Sequence, residues 1–208
     1  MRIEKVLLYL FSIMVIIYLC PHSFAQLKTD SLTVKKEKKI RLKLETGPEY
    51  LYPTKDDRRI HTFNYNLYAG AEFFKHFRLS LYGGITLTYD WGHIFQWDSN
   101  FINIRHENAA GGAGPVFLIR IEPFIFGQFS LSGDFSGGIM FYTSHFPYGG
   151  DIYNFMWRFG GSAKYQINRQ FAFSVDGKWM HVSNCQGMNS HNPSYEGAGV
   201  SVELVRYF

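Results

Sequence analysis

The sequence predicts an all-β fold, an eight-stranded antiparallel transmembrane β-barrel, and three observations support this prediction. The chain of 208 residues begins with a segment that has the form of a secretion signal. Beyond it, apolar and polar residues alternate with a period of two, which is typical of strands with one apolar and one polar face. Most alternating runs are long enough to cross a bilayer as tilted strands, which takes about 9–11 residues.

The composition is compatible with this fold and argues against one class of partner, nucleic acid. The chain contains 20 Phe, 14 Tyr and 20 Gly, and aromatic side chains suit the pleated surface of a sheet. The net charge of +4 comes largely from a lysine-rich stretch at residues 35–39. Such a stretch without accompanying aromatic residues is more typical of a solvated tail than of a nucleic-acid surface. We therefore expect no nucleic-acid partner.

Residues 1–25 are expected to form a signal peptide. A short charged region, Met1–Lys5, precedes an apolar run at residues 6–20. Ser23-Phe24-Ala25 then has the small-x-small form of a cleavage site. The apolar run is shorter than the roughly 20 residues that a membrane-spanning helix needs. The sequence therefore predicts secretion rather than a helical anchor.

The mature chain is expected to have two parts. Residues 26–39 form a basic periplasmic tail, and residues 40–208 form the barrel. No segment of the mature chain has the length and apolarity of a membrane helix, so a membrane location requires a barrel. Cys185 is the only cysteine left after cleavage, which excludes an intramolecular disulfide.

Each of the first four runs has apolar residues on one face and polar or small residues on the other. The fourth, at residues 109–121, shows the weakest pattern. The apolar faces contain Ile40, Leu42 and Leu44; Phe63, Tyr65, Leu67, Ala69, Ala71 and Phe73; Phe77, Leu79, Leu81, Ile85, Leu87 and Tyr89; and Pro115, Phe117, Ile119 and Ile121.

The last four runs repeat this arrangement, and the polar faces carry charges of both signs. Mixed, pairable charge inside an eight-stranded barrel indicates a packed polar core and not a pore. A soluble barrel with an apolar interior would show the same periodicity, but the signal peptide and the aromatic strand ends favour the membrane. These apolar faces contain Phe129, Leu131, Phe135, Ile139 and Phe141; Phe155, Trp157, Phe159 and Tyr165; Phe171, Phe173, Val175 and Trp179; and Val200, Val202, Leu204 and Phe208.

The predicted connections alternate between long and short. Outer-membrane barrels have short periplasmic turns and longer outer loops. We therefore expect the long connections outside the cell and both termini in the periplasm. The long or moderate connections lie around residues 51–61, 92–108, 145–154 and 184–196, and the short ones around 74–76, 122–128 and 168–170.

The end of the chain carries a candidate catalytic constellation. His181 and Ser183 are two apart on a predicted strand, so they share a face with α-carbons about 6.6 Å apart. Glu196 begins the partner strand and can orient His181. Serine, histidine and an acid are the nucleophile, general base and orienting group of a hydrolase triad. Asn184 can donate a hydrogen bond to an oxyanion.

The strand parity places this triad on the outer wall. His181 and Ser183 are in phase with Val175 and Trp179, which belong to the lipid-facing set. A polar cluster on a lipid-facing wall is costly unless it is functional. The sequence therefore predicts an enzyme whose substrate is a lipid of the outer leaflet.

At these residues the sequence resembles the lipid A 3-O-deacylase family of outer-membrane acyl hydrolases. The resemblance is sharpest in His181-x-Ser183-Asn184 with Glu196 downstream. It extends more loosely through Gly114-Pro115-Val116-Phe117 and Arg158-Phe159-Gly160-Gly161, and covers most of the barrel. It implies a carboxylic ester hydrolase of lipopolysaccharide in the outer membrane, with Ser183 as nucleophile, His181 as base, Glu196 as orienting acid, and Asn184 and Asn192 at the oxyanion or substrate.

Other interpretations of the sequence stay open. A non-catalytic structural or adhesion barrel is the alternative function, and only the enzyme needs the hydroxyl of Ser183. The sequence does not separate hydrolysis from acyl transfer, or a monomer from a homodimer. It does not identify the ester that is cut, the role of Cys185 or whether the activity is latent in the native membrane. The remaining histidines lack metal-ligand spacing, so no metal and no cofactor are expected.

Overall fold

The computed structural model describes residues 42–74, 78–97, 102–184 and 193–208. The predicted signal peptide, residues 1–25, and the predicted tail, residues 26–39, lie outside the described residues. Among the described residues, no helix is long and apolar enough to cross a membrane. The strands are β1 (Leu42–Pro53), β2 (Arg58–Phe74), β3 (Leu79–Trp97), β4 (Asn103–Phe126), β5 (Phe129–Phe146), β6 (Asp151–Gln166), β7 (Phe171–Ser183) and β8 (Tyr195–Tyr207).

The eight strands form one closed antiparallel barrel. Each strand pairs with its neighbour in the chain, and β1 pairs with β8 to close the ring. The predicted fold class is confirmed. We call the end with the connections at residues 54–57, 98–102, 147–150 and 184–194 the loop end. The opposite end, with the turns at residues 75–78, 127–128 and 167–170, is the turn end.

Three of the connections predicted as long or moderate, at residues 51–61, 92–108 and 145–154, are shorter than predicted, because the strands continue into them. β1 runs to Pro53 and β2 begins at Arg58. Similarly, β3 runs to Trp97 and β4 begins at Asn103. Ile60 is buried inside the barrel and its neighbours face outward, so the period of two persists. On β2 and β3 near the loop end the outward residues Arg59, His61 and His93 are charged or aromatic instead of aliphatic, so hydrophobicity alone does not show the alternation there. Because the strands are longer than predicted, four histidines in the predicted loops lie on strands instead, namely His61, His93, His106 and His145.

The outer wall of the barrel is apolar around its middle. The large apolar side chains there are substantially exposed, which is the reverse of a soluble protein and typical of a bilayer-spanning barrel. We call this zone the apolar belt. It includes Leu81, Ile85, Leu87, Phe117, Phe135, Phe159, Phe173, Val175, Val200 and Val202.

The lumen is filled by ion pairs that connect opposite walls. Arg120 on β4 is fully buried, and its guanidinium lies 2.5 Å from Glu45 on β1 and 2.7 Å from Asp134 on β5. Arg158 on β6 lies 2.8 Å from Glu49 on β1. Each of these two buried arginines therefore has a partner of opposite sign, as the low dielectric of an interior requires. The prediction of a packed polar core is confirmed.

The loop end of the lumen is closed by an apolar and aromatic cluster. Leu51, Phe146, Met180 and Tyr195 are all buried in it. The hydroxyl of Tyr195 lies 2.8 Å from that of Tyr142, tying the start of β8 to β5. This cluster gives the outward residues at the same level a packed support.

Candidate active site

The β7–β8 strand pair positions the two residues predicted to act as base and orienting acid. Met180 and Val182 on β7 are buried, so His181 between them faces outward. Tyr195 on β8 is buried, and Glu196 therefore faces outward too. The register pairs His181 directly with Glu196 across the two strands. Directly opposed side chains on one face of a sheet are close enough to interact.

The side chains of His181 and Glu196 are in contact. His181 Nδ1 lies 3.3 Å from Glu196 Oε1, and both side chains are partly exposed. A hydrogen bond from Nδ1–H to the carboxylate leaves the proton on that nitrogen, so Nε2 becomes the hydrogen-bond acceptor. This tautomer is the one that a general base needs in order to take a proton from a serine hydroxyl.

Ser183 lies on the same outward face, two residues beyond His181 at the end of β7. Its partner in the register of β6 and β7 is Phe155. Within the part of the chain that the structure describes, no hydrogen bond joins Ser183 to His181. The structure therefore brings the predicted base and acid together and places the predicted nucleophile beside them without a direct bond.

The two asparagines predicted at the oxyanion or substrate have different outcomes. Asn184 is buried, with 3% of its surface exposed, and follows Ser183 on the opposite parity. Its side chain is therefore withdrawn from the outer wall, and its backbone N–H is the group adjacent to Ser183. Asn192 lies outside the described residues, as does Cys185.

Lys55 joins the site, which the sequence analysis did not predict. Lys55 Nζ donates a hydrogen bond of 2.7 Å to Glu196 Oε1, from a position 141 residues away in the chain. This contact lies at the loop end, beyond the apolar belt. Partial burial opposes the charge on the carboxylate, but the hydrogen bonds from Lys55 and His181 outweigh it and hold the pKa of Glu196 below its ordinary value. Glu196 is thus kept as the anion that an orienting acid must be.

Two tryptophans frame His181 on its β6 and turn-end sides. Trp157 is the cross-strand partner of His181, with ring centroids 5.4 Å apart. Trp179 lies two residues below on β7, with centroids 6.1 Å apart and planes 23° from parallel. The alternation predicted that both face outward, but only the strand register reveals that Trp157 is adjacent to the histidine. The aromatic walls restrict the imidazole to few orientations.

The β1–β2 connection fixes the start of β8. Arg58 Nη1 donates to the backbone oxygen of Ser194 at 2.7 Å and to its hydroxyl at 2.9 Å. The backbone N–H of Thr54 donates to the carbonyl of Glu196. Together with Lys55, these bonds hold Glu196 in register with His181.

The outer wall on the turn-end side of His181 is apolar and includes a row of residues without side chains. Gly133, Gly161 and Gly177 are paired successively across β5, β6 and β7, so no side chain rises from this row. Val175 and Val200 are exposed beside it. A flexible hydrocarbon chain can pack on such a surface without displacing a side chain.

The described residues contain no group of three or more metal-ligating side chains close enough to hold a metal ion.

Fold and site together define an eight-stranded β-barrel with a histidine–carboxylate pair on its outer wall. A solid-state NMR structure of the outer membrane protein AlkL in DMPC lipid bilayers aligns with 88% of this chain and 94% of that chain, at 8% identity and a TM-score of 0.30. Neither a protein-family model nor a curated protein matches the sequence.

Proposed function

We propose that this protein is an outer-membrane serine esterase that deacylates lipid A of lipopolysaccharide by hydrolysing a 3-O-acyl ester. The observation that carries the proposal is the His181–Glu196 contact on the outward face beside Ser183. A histidine whose Nδ1 meets a carboxylate, next to a serine on the same face, is the arrangement that a hydrolase triad requires. The resemblance to lipid A 3-O-deacylases supplies the substrate class.

The apolar outer wall of the barrel supports the proposed membrane location. Exposed aliphatic and aromatic side chains surround the middle of the barrel, and the charges are confined to the lumen and the ends. In water such a surface would cause aggregation, whereas in a bilayer it is in contact with the apolar lipid chains. With the loop end facing outward, His181 lies at the polar boundary of the outer leaflet, where the ester bonds of a glycolipid lie.

The proposed reaction proceeds in two steps. In the first, Ser183 Oγ attacks the ester carbonyl while His181 Nε2 takes the hydroxyl proton, and the backbone N–H of Asn184 faces the oxyanion. Collapse breaks the ester bond, and His181 returns the proton to the sugar hydroxyl that leaves. In the second, His181 takes a proton from water and the hydroxide attacks the acyl-serine. Collapse breaks the bond to Ser183 Oγ, His181 returns the proton to that oxygen, and the fatty acid is released.

The test is mass spectrometry of lipid A from cells that produce the wild-type protein or the Ser183→Ala variant in equal amounts. We expect loss of one acyl chain with the wild-type protein and intact lipid A with the variant. A His145→Ala variant, which removes an exposed histidine at the loop end, is the control and should deacylate normally. Deacylation by Ser183→Ala would refute the assignment of the nucleophile.

A non-catalytic adhesion or structural barrel is the second candidate, and one observation favours it. The β3–β4 hairpin is the longest in the barrel, and Trp97, Ile102 and Ile104 near its tip are exposed. Exposed apolar side chains at the end of a projecting hairpin are typical of a contact surface. Unchanged lipid A in cells with abundant, folded wild-type protein would favour this function.

A further inference from the structure

A second polar cleft opens on the outer wall at the loop end, on β2, β3 and β4. We call it the β2–β4 cleft, and its volume is about 710 Å³. Its outward-facing side chains are Arg59, His61, Trp91, His93, Arg105 and Glu107. None of these residues belongs to the His181 site, and the esterase chemistry leaves them without a role.

The floor of the cleft is aromatic. The rings of His61 and Trp91 stack with centroids 5.5 Å apart and planes 13° from parallel. Tyr52 meets His61 edge-on at 5.1 Å, and the Tyr50 hydroxyl lies 2.8 Å from His61 Nδ1. These contacts fix a flat aromatic surface, the kind of platform on which the apolar face of a sugar ring packs.

The rim of the cleft is basic. Arg59, His93 and Glu107 are paired across three strands in one row, and Arg105 lies two residues beyond Glu107. Arg105 Nη2 is 2.6 Å from Glu107, but both side chains are more than half exposed, so this ion pair is weak and exchangeable. The Arg59 guanidinium, which has five N–H donors, gives one to the Tyr52 hydroxyl at 3.1 Å. Two guanidinium groups above an aromatic floor match a phosphate attached to a sugar.

The position of the cleft agrees with this chemistry. On β3 the exposed aliphatic side chains of the apolar belt end at Leu87, and the cleft begins with Trp91 and His93. Lipid headgroups lie at this boundary between the apolar belt and water. The middle strand of the cleft, β3, is four strands from β7 in either direction around the ring, so the cleft lies on the wall opposite His181. The cleft therefore faces a different part of the surrounding leaflet from the part that His181 faces.

We propose that the β2–β4 cleft binds the phosphorylated sugar headgroup of an outer-leaflet glycolipid, on the wall opposite His181. Arg59 and Arg105 contact the phosphate, and the His61–Trp91 stack lies under the sugar. The identity of the lipid rests on the proposed function, but binding in the cleft requires no catalysis.

The test measures binding by detergent-folded barrels in the Ser183→Ala background, so that no turnover occurs. The probes are lipid A carrying both phosphates and the same lipid A after enzymatic dephosphorylation. We expect the parent barrel to bind the phosphorylated lipid about tenfold tighter or more, because charge-assisted bonds to phosphate are among the strong ones. Substitution of Arg59→Gln together with Arg105→Gln should bring this ratio close to one.

A matched control removes two arginines at the turn end, Arg169→Gln with Arg206→Gln, and should keep the preference. Heat-modifiable migration on gels shows that each variant is folded. An arginine-rim variant that keeps the full preference, or a parent barrel that binds both lipids equally, overturns the proposal. Inorganic phosphate that displaces lipid A at equal concentration would identify a site for free phosphate and overturn the glycolipid headgroup as the ligand.

Failure of the cleft and failure of the esterase give different results. Phosphate-dependent binding that the arginine-rim variant loses, without hydrolysis by the Ser183-containing barrel, supports the cleft and refutes the esterase. Hydrolysis by that barrel, with an unchanged phosphate preference in the arginine-rim variant, supports the esterase and refutes the cleft.

Discussion

At His181 the two ring nitrogens have different surroundings, and this difference underlies the roles that we propose for His181 and Glu196 in deacylation. Nδ1 faces Glu196 at 3.3 Å, whereas Nε2 is the atom left to accept a proton. In the proposed mechanism Glu196 holds the tautomer of His181 and does not exchange the proton itself. Lys55 and Arg58 hold the segment that carries Glu196, so the carboxylate keeps its position independently of substrate.

We expect His181→Ala to lower deacylation by about a thousandfold or more, since the serine then has no base. Glu196→Ala should cost about ten- to a hundredfold less than His181→Ala, because the imidazole can still act when it is poorly oriented. The double variant should be no slower than His181→Ala alone, since the residues act as one unit. Initial rates on purified lipid A give all three values. Independent, multiplicative losses would contradict a shared mechanism.

The β7 strand presents two surfaces with opposite properties. Val175 on its outer face is 44% exposed, whereas Ser174, one residue before it, is buried in the lumen and donates to Asp176 at 2.6 Å. The outer face, with Gly177 and Trp179 above Val175, forms the wall on which an acyl chain of the substrate would lie. A charge on this face must therefore affect substrate access as well as insertion.

Val175→Arg and Leu81→Arg compare this wall with the opposite one. Leu81 is 42% exposed on the outer face of β3, four strands from β7 in either direction. Each arginine should cost about 2–4 kcal/mol of insertion free energy near the midplane. Only Val175→Arg should also lower turnover per folded barrel, because only that wall leads to His181. Equal turnover by the two variants would show that the acyl chain of the substrate does not dock on the outer face of β7.

The closed barrel behaves as one cooperative unit, since every strand has two partners and no edge is left unpaired. We expect the mature protein to fractionate with the outer membrane. Its unboiled form should migrate differently from its boiled form on gels, because the folded ring resists detergent. Recovery of a folded protein from the periplasm without detergent would contradict the membrane location.

Much of this whole-molecule arrangement could be predicted from the sequence, because parity specifies a face directly. The alternation of Trp179, His181 and Ser183 predicted their outward orientation, and Glu196 was placed beside His181 correctly. The extension of β2 through Arg59 and His61 was not predicted, since its outward residues are polar like those of a loop. The contact of Lys55 with Glu196 was not predicted either, because it joins positions 141 residues apart. A local sequence pattern does not show which distant residues meet when the first and last strands pair.

The filled lumen determines how the protein affects the barrier in which we propose it lies. Bonds from Arg120 to Glu45 and from Arg158 to Glu49 cross the barrel, so the space that would carry ions in a porin is occupied by paired side chains. In electrical terms such a barrel is an insulator. A cell could carry many copies without making its outer membrane leakier to small solutes, and substrate and products would exchange sideways through the lipid.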